Sequence, residues 1–237
     1  MRTLVVLPIK SFGAAKTRLG NLLGTGSRRA LAQAMSSDVL GALRRARGVD
    51  VIAVVTGDPL VQSAAAGSAV TVLPDAHERG QSAAAQIGIR HALESGFDRV
   101  LLVPGDTPLL DPAEVDALLA RSEESGVEAV IVPDRHGEGT NALLLTPPSA
   151  LEPSFGPDSL ARHRAAAEAA GLNFTVERVP SLEIDVDTPD DFAELGAALL
   201  RRHGSAPLTR GALRQLEISR TPHLPAADHA APAALRA

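Results

Sequence analysis

Three aspartates stand in positions from which carboxylates can bind a divalent cation. Asp106 comes directly after Gly105, which follows a run of apolar residues that predicts a buried strand. Asp185 and Asp187 alternate with apolar residues, so an extended segment would point both of them to one face. Two carboxylates on one face repel each other unless a cation lies between them, and carboxylates are suitable ligands for Mg2+. The spacing favours metal binding for Asp185 and Asp187, whereas Asp106 fits a metal ligand and an ordinary turn equally well.

A basic segment follows the first apolar run, residues 4–8. Lys10, Lys16 and Arg18 fall within nine positions, and in open α/β sheets ligands bind beyond the carboxyl ends of the strands. We therefore expect this segment to bind the phosphates of a nucleotide; a solvated charged loop is the alternative. It is not a P-loop, because Lys10 and Ala15 occupy places where that motif requires glycine.

Two predicted helix starts offer further hydrogen-bond donors. Gly80, Gln81 and Ser82 precede a helix and can read the edge of a base or bind an anion, although an ordinary loop and helix cap explains them equally. Gly156 and Ser159 open a later helix, where free backbone N–H groups would form an anion site. Helix capping there requires the same residues, so the two interpretations are compatible.

Alternating strands and helices must position these residues. Short apolar runs predict strands at residues 4–8, 51–55, 69–73, 100–103, 127–132, 142–145 and 174–179. Helical patterns lie between them, and Pro112 and Pro189 each follow a capping residue, as first helical positions often do. The pattern predicts an α/β protein with three layers, α/β/α, around a mostly parallel central sheet.

Composition excludes several classes of protein. The chain has 237 residues, a net charge of −5 and no cysteine, so neither a nucleic-acid footprint nor a disulfide framework is indicated. No apolar run reaches about 18 residues, so no membrane span is expected and a cytoplasmic protein is the default. From Gly204 onward scattered prolines and alanines predict a mobile tail, residues 204–237, after a domain of residues 1–203. Within that tail, residues 208–218 are compatible with a short helix.

Three motifs resemble a known enzyme family. Residues 134–141 (DRHGEGTN), 155–159 (FGPDS) and 185–189 (DVDTP) look like those of the guanylyltransferases of coenzyme F420 biosynthesis. Those enzymes join GMP from GTP to phosphoenolpyruvate, 2-phospho-L-lactate or 3-phosphoglycerate. The resemblance covers roughly residues 1–200 and implies a fold like that of the nucleotide-diphospho-sugar transferases. The Ala- and Arg-rich composition, typical of a high-GC bacterium, favours phosphoenolpyruvate as the acid.

The resemblance also implies roles for residues. Mg2+ would be held by Asp106, Asp185 and Asp187, and the catalytic set would be Asp106, Lys16 and Arg18. The small phosphorylated acid would be bound by Thr140, Gly156 and Ser159. Contacts to the nucleotide would come from strand ends and helix starts, namely Pro8, Lys10, Lys16, Arg18, Gly80, Gln81, Ser82 and Gly105. Many relatives carry Leu-Asn where this chain has Gln81-Ser82.

Partners and alternatives follow from the same comparison. The partners would be GTP and the small acid, with no nucleic acid and no membrane, and the product would be handed to the next transferase of the F420 pathway. A glycosyltransferase using Asp185 and Asp187 as its metal motif, a molybdopterin nucleotidyltransferase and a non-catalytic nucleotide-binding domain remain alternatives. Release of diphosphate would separate nucleotidyl transfer from glycosyl transfer, which releases a nucleoside diphosphate.

Overall fold

A computed structural model describes residues 1–12, 16–66 and 70–220. The strands are β1 (Thr3–Pro8), β2 (Val51–Thr56), β3 (Thr71–Pro74), β4 (Arg99–Leu102), β5 (Ala129–Pro133), β6 (Thr140–Leu145) and β7 (Phe174–Val176). The α-helices are α1 (Thr25–Leu43), α2 (Pro59–Ala66), α3 (Gln81–Glu94), α4 (Pro112–Ser125), α5 (Ser159–Ala169), α6 (Pro189–Arg201) and α7 (Pro207–Arg220). A single 3-10 turn, Thr17–Leu19, precedes α1 in the described part of the chain. None of the described helices is long and apolar enough to cross a membrane.

One sheet contains all the described strands, in the order β3-β2-β1-β4-β6-β5-β7. Strand β6 runs antiparallel to β4 and to β5, while the remaining pairs are parallel. The chain moves outward from β1 to β3 and then returns to place β4 on the other side of β1. The switch point therefore lies between β1 and β4, and ligands bind outside the carboxyl ends of strands at such a point.

Helices cover both faces of the sheet. On one face Val39 of α1, Val61 of α2 and Leu118 of α4 join a core with the inward residues of β1, β2 and β4. On the other face α3 and α5 contribute Ile89 and Ala167. The apolar strands are buried on both sides, which is why they read as continuous apolar runs. The predicted three-layer α/β/α fold with a mostly parallel sheet is confirmed.

The segment after residue 203 corrects the predicted tail. Helix α7 packs against α1, and Ala206 and Thr209 are buried while Leu213 and Leu216 contact a third apolar cluster. These positions recur every three or four residues, a helical period that the surrounding prolines and alanines obscured. The predicted boundary at residue 203 is therefore wrong as the end of packed structure, and residues 221–237 lie outside the described residues.

Asp38 of α1 fixes the start of α7. Its carboxylate is buried and accepts hydrogen bonds from the N–H groups of Leu208, at 3.2 Å, and Thr209, at 2.7 Å. A carboxylate at this position satisfies the first N–H groups of a helix and complements the helix dipole.

We expect Asp38→Ala to lower the free energy of unfolding by about 1–2 kcal/mol, as loss of a helix cap does. Denaturant unfolding of the full chain measures the change. Glu124→Ala, an exposed acidic residue within α4, is the matched control and should change stability by less than about 0.5 kcal/mol. Equal effects of the two substitutions would show that α7 is not held by this cap.

Candidate active site

A cleft of about 760 Å³ opens at the carboxyl ends of β1 and β4, the switch point of the sheet. It is lined by most of the candidate residues of the sequence, namely Pro8, Lys10, Lys16, Arg18, Gly80, Gln81, Gly105, Asp106, Thr140, Gly156, Ser159, Asp185 and Asp187. The loops after parallel strands converge here, so residues distant in the chain meet in one place. We call this feature the central cleft.

Ser82 is the exception among the candidate residues. It does not line the central cleft, and its hydroxyl oxygen accepts a hydrogen bond of 2.8 Å from the backbone N–H of Phe155. The second position of α3 faces the loop that precedes α5, so Ser82 ties two walls of the cleft together. The contact between Ser82 and the nucleotide stays a prediction, because a hydroxyl that accepts from Phe155 can still donate its own proton.

Lys16 lies among the acidic residues of the central cleft. Its ammonium group donates to Asp106 Oδ2 and, at 3.0 Å, to Asp187 Oδ1, and its side chain is only 6% exposed. Burial alone would lower the pKa of Lys16, but the charges of Asp106 and Asp187 outweigh burial and raise that pKa above its ordinary value. Lys16 is therefore a fixed positive charge at the bottom of the cleft.

Asp185 lies in the same acidic group and is partly buried. Asn141 Nδ2 donates to its Oδ1 at 3.1 Å and to the carbonyl oxygen of Leu182 at 2.8 Å. Burial, and next the charge of Asp106, raise the pKa of Asp185 to about 6. A nearby cation would stabilise the ionised form of a carboxyl group whose charge is disfavoured in this way.

The carboxylates of Asp106, Asp185 and Asp187 are not arranged as the ligands of a metal ion. Among the described residues, no group of three acidic or histidine side chains is arranged to hold a metal ion. Instead Lys16 neutralises Asp106 and Asp187 directly. The donors still fit a hard cation, because they are carboxylate oxygens whose negative charge Lys16 offsets only in part.

The start of α6 holds Asp187 in place. Asp191 Oδ2 accepts hydrogen bonds from the N–H groups of Asp187 and Thr188, and Thr188 caps the helix in return. Arg135 donates to the other oxygen of Asp191 at 2.8 Å. Burial would raise the pKa of Asp191, but these hydrogen bonds lower it below its ordinary value. Asp191 is thus an ionised anchor for the segment that carries Asp187.

The loop before α5 also lines the central cleft. Gly156 has a φ of +111°, a conformation that L side chains rarely adopt, so glycine is required there. The N–H of Ser159 donates to the carbonyl oxygen of Gly156 at 3.1 Å. The expectation that this N–H is free for an anion is therefore wrong, because the first turn of α5 uses it. The Ser159 residue is 1% exposed and lines the cleft.

Thr140 contacts a buried histidine of α5. The Thr140 hydroxyl oxygen lies 2.9 Å from His163 Nδ1, and His163 Nε2 accepts a 2.8 Å hydrogen bond from the N–H of Ser154. The Phe155 ring packs edge-on against the imidazole, with ring centres 5.4 Å apart. His163 therefore joins Thr140 to the loop that carries Gly156.

Comparison with known proteins identifies the family of this chain. The family model described as guanylyl transferase CofC like matches residues 3–230. The chain belongs to this family. A phosphoenolpyruvate guanylyltransferase of Conexibacter woesei is 52% identical over 216 residues, which cover 91% of this chain and 97% of that protein. A 2-phospho-L-lactate guanylyltransferase of Methanothermobacter thermautotrophicus is 36% identical over 222 residues, 94% of each chain. The family resemblance predicted from the sequence motifs is confirmed.

A solved structure supports the fold independently. A protein of Desulfovibrio desulfuricans G20, described as a nucleotide-diphospho-sugar transferase, superposes with a TM-score of 0.71 at 19% identity. The match covers 92% of this chain and 96% of that chain. At this identity the likeness establishes the architecture, which is the transferase-like fold that the sequence motifs implied.

Three residues of this CofC-family chain were not among the predicted site residues. Asn141 and Asp191 line the central cleft and hydrogen-bond to Asp185 and Asp187. His163 does not line the cleft and contacts Thr140, 23 positions away. Asn141 ends the DRHGEGTN motif, and that position directly after Thr140 was the available signal. Asp191 stands in the first turn of α6, where the helix dipole alone accounts for an acidic residue, so its capping role was not predicted. No local pattern identified His163.

We expect His163 to make stability fall in mild acid. Burial, and secondarily the charge of Arg162, lower the pKa of His163 to about 4. The folded value lies below the unfolded value of about 6.5, so the unfolded chain binds more protons as the pH falls. The contribution of neutral His163 is complete above pH 7 and should shrink by about 2 kcal/mol at pH 5.

Denaturant unfolding of the wild type and of His163→Gln at pH 7.5 and pH 5 measures this difference. Glutamine does not titrate, so the stability advantage of the wild type should diminish at the lower pH, and other titrating groups cancel in the comparison. An advantage that is constant with pH would contradict the depressed pKa.

Proposed function

We propose that this chain transfers GMP from GTP to the phosphate of phosphoenolpyruvate, releasing diphosphate and forming enolpyruvoyl-2-diphospho-5'-guanosine in coenzyme F420 biosynthesis. The observation that carries the proposal is the composition of the central cleft. Cations and carboxylates line it together with Thr140, Gly156 and Ser159. Such a cleft can hold a nucleotide phosphate chain beside a second phosphorylated molecule. Family membership and the 52% identical relative support the same reaction.

The chemistry requires positioning more than acid–base catalysis. A substrate phosphate has its second pKa near about 6 and is largely ionised at neutral pH. One of its oxygens attacks the α-phosphorus of GTP, and the bond from that phosphorus to the bridging oxygen of the β-phosphate breaks. Diphosphate leaves with the electron pair. The site must align these atoms and neutralise the developing charge.

Neutralisation falls to the charged residues of the cleft. Lys16 provides a buried charge, while Lys10 and Arg18 are exposed at the cleft and available to the outer phosphates of GTP. We assign Asp106, Asp185 and Asp187 as the residues that would hold Mg2+. The ion, when bound, would supply positive charge to the phosphate oxygens. Asp106, Lys16 and Arg18 form the proposed catalytic set.

The remaining contacts to GTP come from backbone and helix ends. Pro8 and Gly105 flank the switch point and line the cleft. A Cβ at Gly105 would lie 3.0 Å from Ser36 Oγ, so glycine there lets α1 pack closely against the loop that carries Asp106. Gly80 and Gln81 lie at the amino end of α3, where N–H groups and the dipole favour an anion or a polar base edge. We propose these residues as the nucleotide-binding set.

The proposal extends to setting and organisation. GTP and phosphoenolpyruvate are intracellular metabolites, so we expect the enzyme in the cytoplasm and a handover of its product to the next transferase of the pathway. We expect residues 1–220 to act as one folded unit, since α7 packs on α1. Phosphoenolpyruvate is preferred over 2-phospho-L-lactate because the relative named for it is the more similar, at 52% against 36% identity.

Separate incubations of GTP with phosphoenolpyruvate, 2-phospho-L-lactate and 3-phosphoglycerate test the proposal. Diphosphate and the guanylylated acid are measured in each, and phosphoenolpyruvate should give the highest kcat/KM. Preference for another of the acids would overturn the choice of acceptor and keep the reaction. Turnover of only a sugar phosphate or a molybdopterin would overturn the reaction as well.

We expect Ser159→Ala to impair use of the acid selectively. Ser159 is 1% exposed, and loss of its hydroxyl would leave part of the acceptor phosphate unpaired, at a cost of about 1–3 kcal/mol. The KM for phosphoenolpyruvate should therefore rise about 5- to 150-fold with little change in the KM for GTP. Steady-state kinetics measure both, with Ser125→Ala on the exposed end of α4 as the control. An increase confined to the KM for GTP would place Ser159 in the nucleotide site.

A further inference from the structure

His163 is a fully buried titratable residue that the proposed reaction does not use. It is 0% exposed, and both of its ring nitrogens have partners. Nε2 lies 2.8 Å from the backbone nitrogen of Ser154, and Nδ1 lies 2.9 Å from the hydroxyl oxygen of Thr140. Thr140 in turn lines the central cleft. The imidazole therefore lies directly behind a residue of the acceptor side.

The two contacts determine where the imidazole carries its proton. A backbone N–H can only donate, so Nε2 must accept from Ser154 and is unprotonated. A neutral imidazole has one N–H, which must then be on Nδ1. Burial lowers the pKa of His163, and the charge of Arg162, the residue before it in α5, acts in the same direction, so the ring is neutral near pH 7.

The fixed tautomer determines the role of the Thr140 hydroxyl. Nδ1–H donates to the hydroxyl oxygen, so the hydroxyl proton must point to another acceptor. A phosphate group offers only acceptor oxygens when ionised. A hydroxyl that used its proton on the histidine could only accept, and it would repel such a group.

We propose that His163 is a positioning residue that keeps the Thr140 hydroxyl as a hydrogen-bond donor toward the phosphate of the acceptor acid. It acts through Thr140 and touches neither substrate. The inference rests on the proposed function, because it takes Thr140 as part of the acceptor site. By holding Ser154 and Thr140 with one ring, His163 also fixes the spacing between Thr140 and the loop that carries Gly156.

Two amide substitutions separate the two hydrogen bonds. His163→Asn places an amide nitrogen near the position of Nδ1 and can still donate to Thr140. His163→Gln places an amide oxygen near the position of Nε2 and can still accept from Ser154. The KM for phosphoenolpyruvate should rise about tenfold in His163→Gln, the usual effect of one lost hydrogen bond, and about threefold or less in His163→Asn. The KM for GTP should stay within about twofold in both.

A double-mutant cycle tests whether the effect passes through the hydroxyl. Thr140→Val removes the hydroxyl at nearly constant shape, and Thr140→Ser keeps it. His163→Gln should raise the KM for phosphoenolpyruvate in the wild-type and Thr140→Ser proteins and add nothing in Thr140→Val. A purely structural histidine would give equal, additive effects in all backgrounds, and that result would overturn the inference.

Nitrogen NMR of the wild-type protein provides a test that needs no folded variant. Labelled His163 should show a protonated Nδ1 and an unprotonated Nε2 at neutral pH. The opposite tautomer would overturn the inference. A wild type that turns over none of the acids would overturn the proposed function and, with it, the role of His163 toward the acceptor. Normal wild-type turnover with an additive cycle would overturn this inference alone.

Discussion

Asp106→Asn is expected to lower kcat by about 100- to 1,000-fold while the fold survives, as loss of one charge-neutralising group in a transition state does. Asp106 follows β4 at the switch point, where its carboxylate shares Lys16 with Asp187. Asparagine keeps the shape and removes the charge that would hold Mg2+. The side chain of Asp106 is 27% exposed, so its replacement leaves no deeply buried group unpaired.

Diphosphate release as a function of Mg2+ concentration, together with circular dichroism, measures this effect. Asp190→Asn, an exposed acidic residue in the first turn of α6, is the control and should turn over normally. A folded Asp106→Asn protein with near-normal kcat would remove Asp106 from the catalytic set.

Lys16→Met is expected to lower kcat/KM for GTP by at least about 100-fold, the effect of removing a phosphate-neutralising cation in a water-poor site. The side chain is 6% exposed and its ammonium bridges two carboxylates. Methionine fills similar space without charge, so the carboxylates of Asp106 and Asp187 lose their common partner. Their repulsion with Asp185 then adds to the lost attraction for GTP.

Lys10→Met is the matched comparison, since Lys10 and Lys16 are the two lysines of the chain. Lys10 is exposed, and an exposed charge is screened by water and salt. Its loss should raise the KM for GTP by less than about tenfold and leave kcat within about twofold. Equal losses for the two substitutions would contradict a special role of the buried Lys16.

Local signals in the sequence predicted the framework of this molecule well. The apolar runs gave the strands near their observed positions, and the helix starts at Asp111-Pro112 and Thr188-Pro189 were confirmed. These features depend on a few neighbouring residues. The placement of Asp106 followed equally from local pattern, because a strand end and a following turn are both visible within about ten residues.

Features that depend on distant partners could not be predicted. Lys16 binds Asp106 and Asp187, which are 90 and 171 positions away, so its neutralising role emerges only when the sheet brings those loops together. Ser82 was assigned to the nucleotide on its place at a helix start, but the fold turns it toward Phe155. The spacing of residues in the sequence does not indicate which partners Lys16 and Ser82 contact in the folded protein.

The end of the domain illustrates the same limit. A helix at residues 208–218 was compatible with the sequence, yet its docking depends on Asp38, 171 positions before Thr209. Proline and alanine content predicted mobility, whereas one buried carboxylate and a short apolar stripe were enough to hold the helix. Composition therefore predicts poorly whether a terminal segment packs on a domain when a few specific contacts determine the packing.

The central claim is tested most directly by following the α-phosphate of GTP. The enzyme is incubated with Mg2+, phosphoenolpyruvate and GTP that is labelled at either the α- or the γ-phosphate. The products are then separated and identified by mass spectrometry. We expect the α-label in a molecule that also contains the enolpyruvate carbons and the γ-label in diphosphate. Recovery of the α-label only in GTP, GMP or GDP would contradict transfer of GMP to the acid.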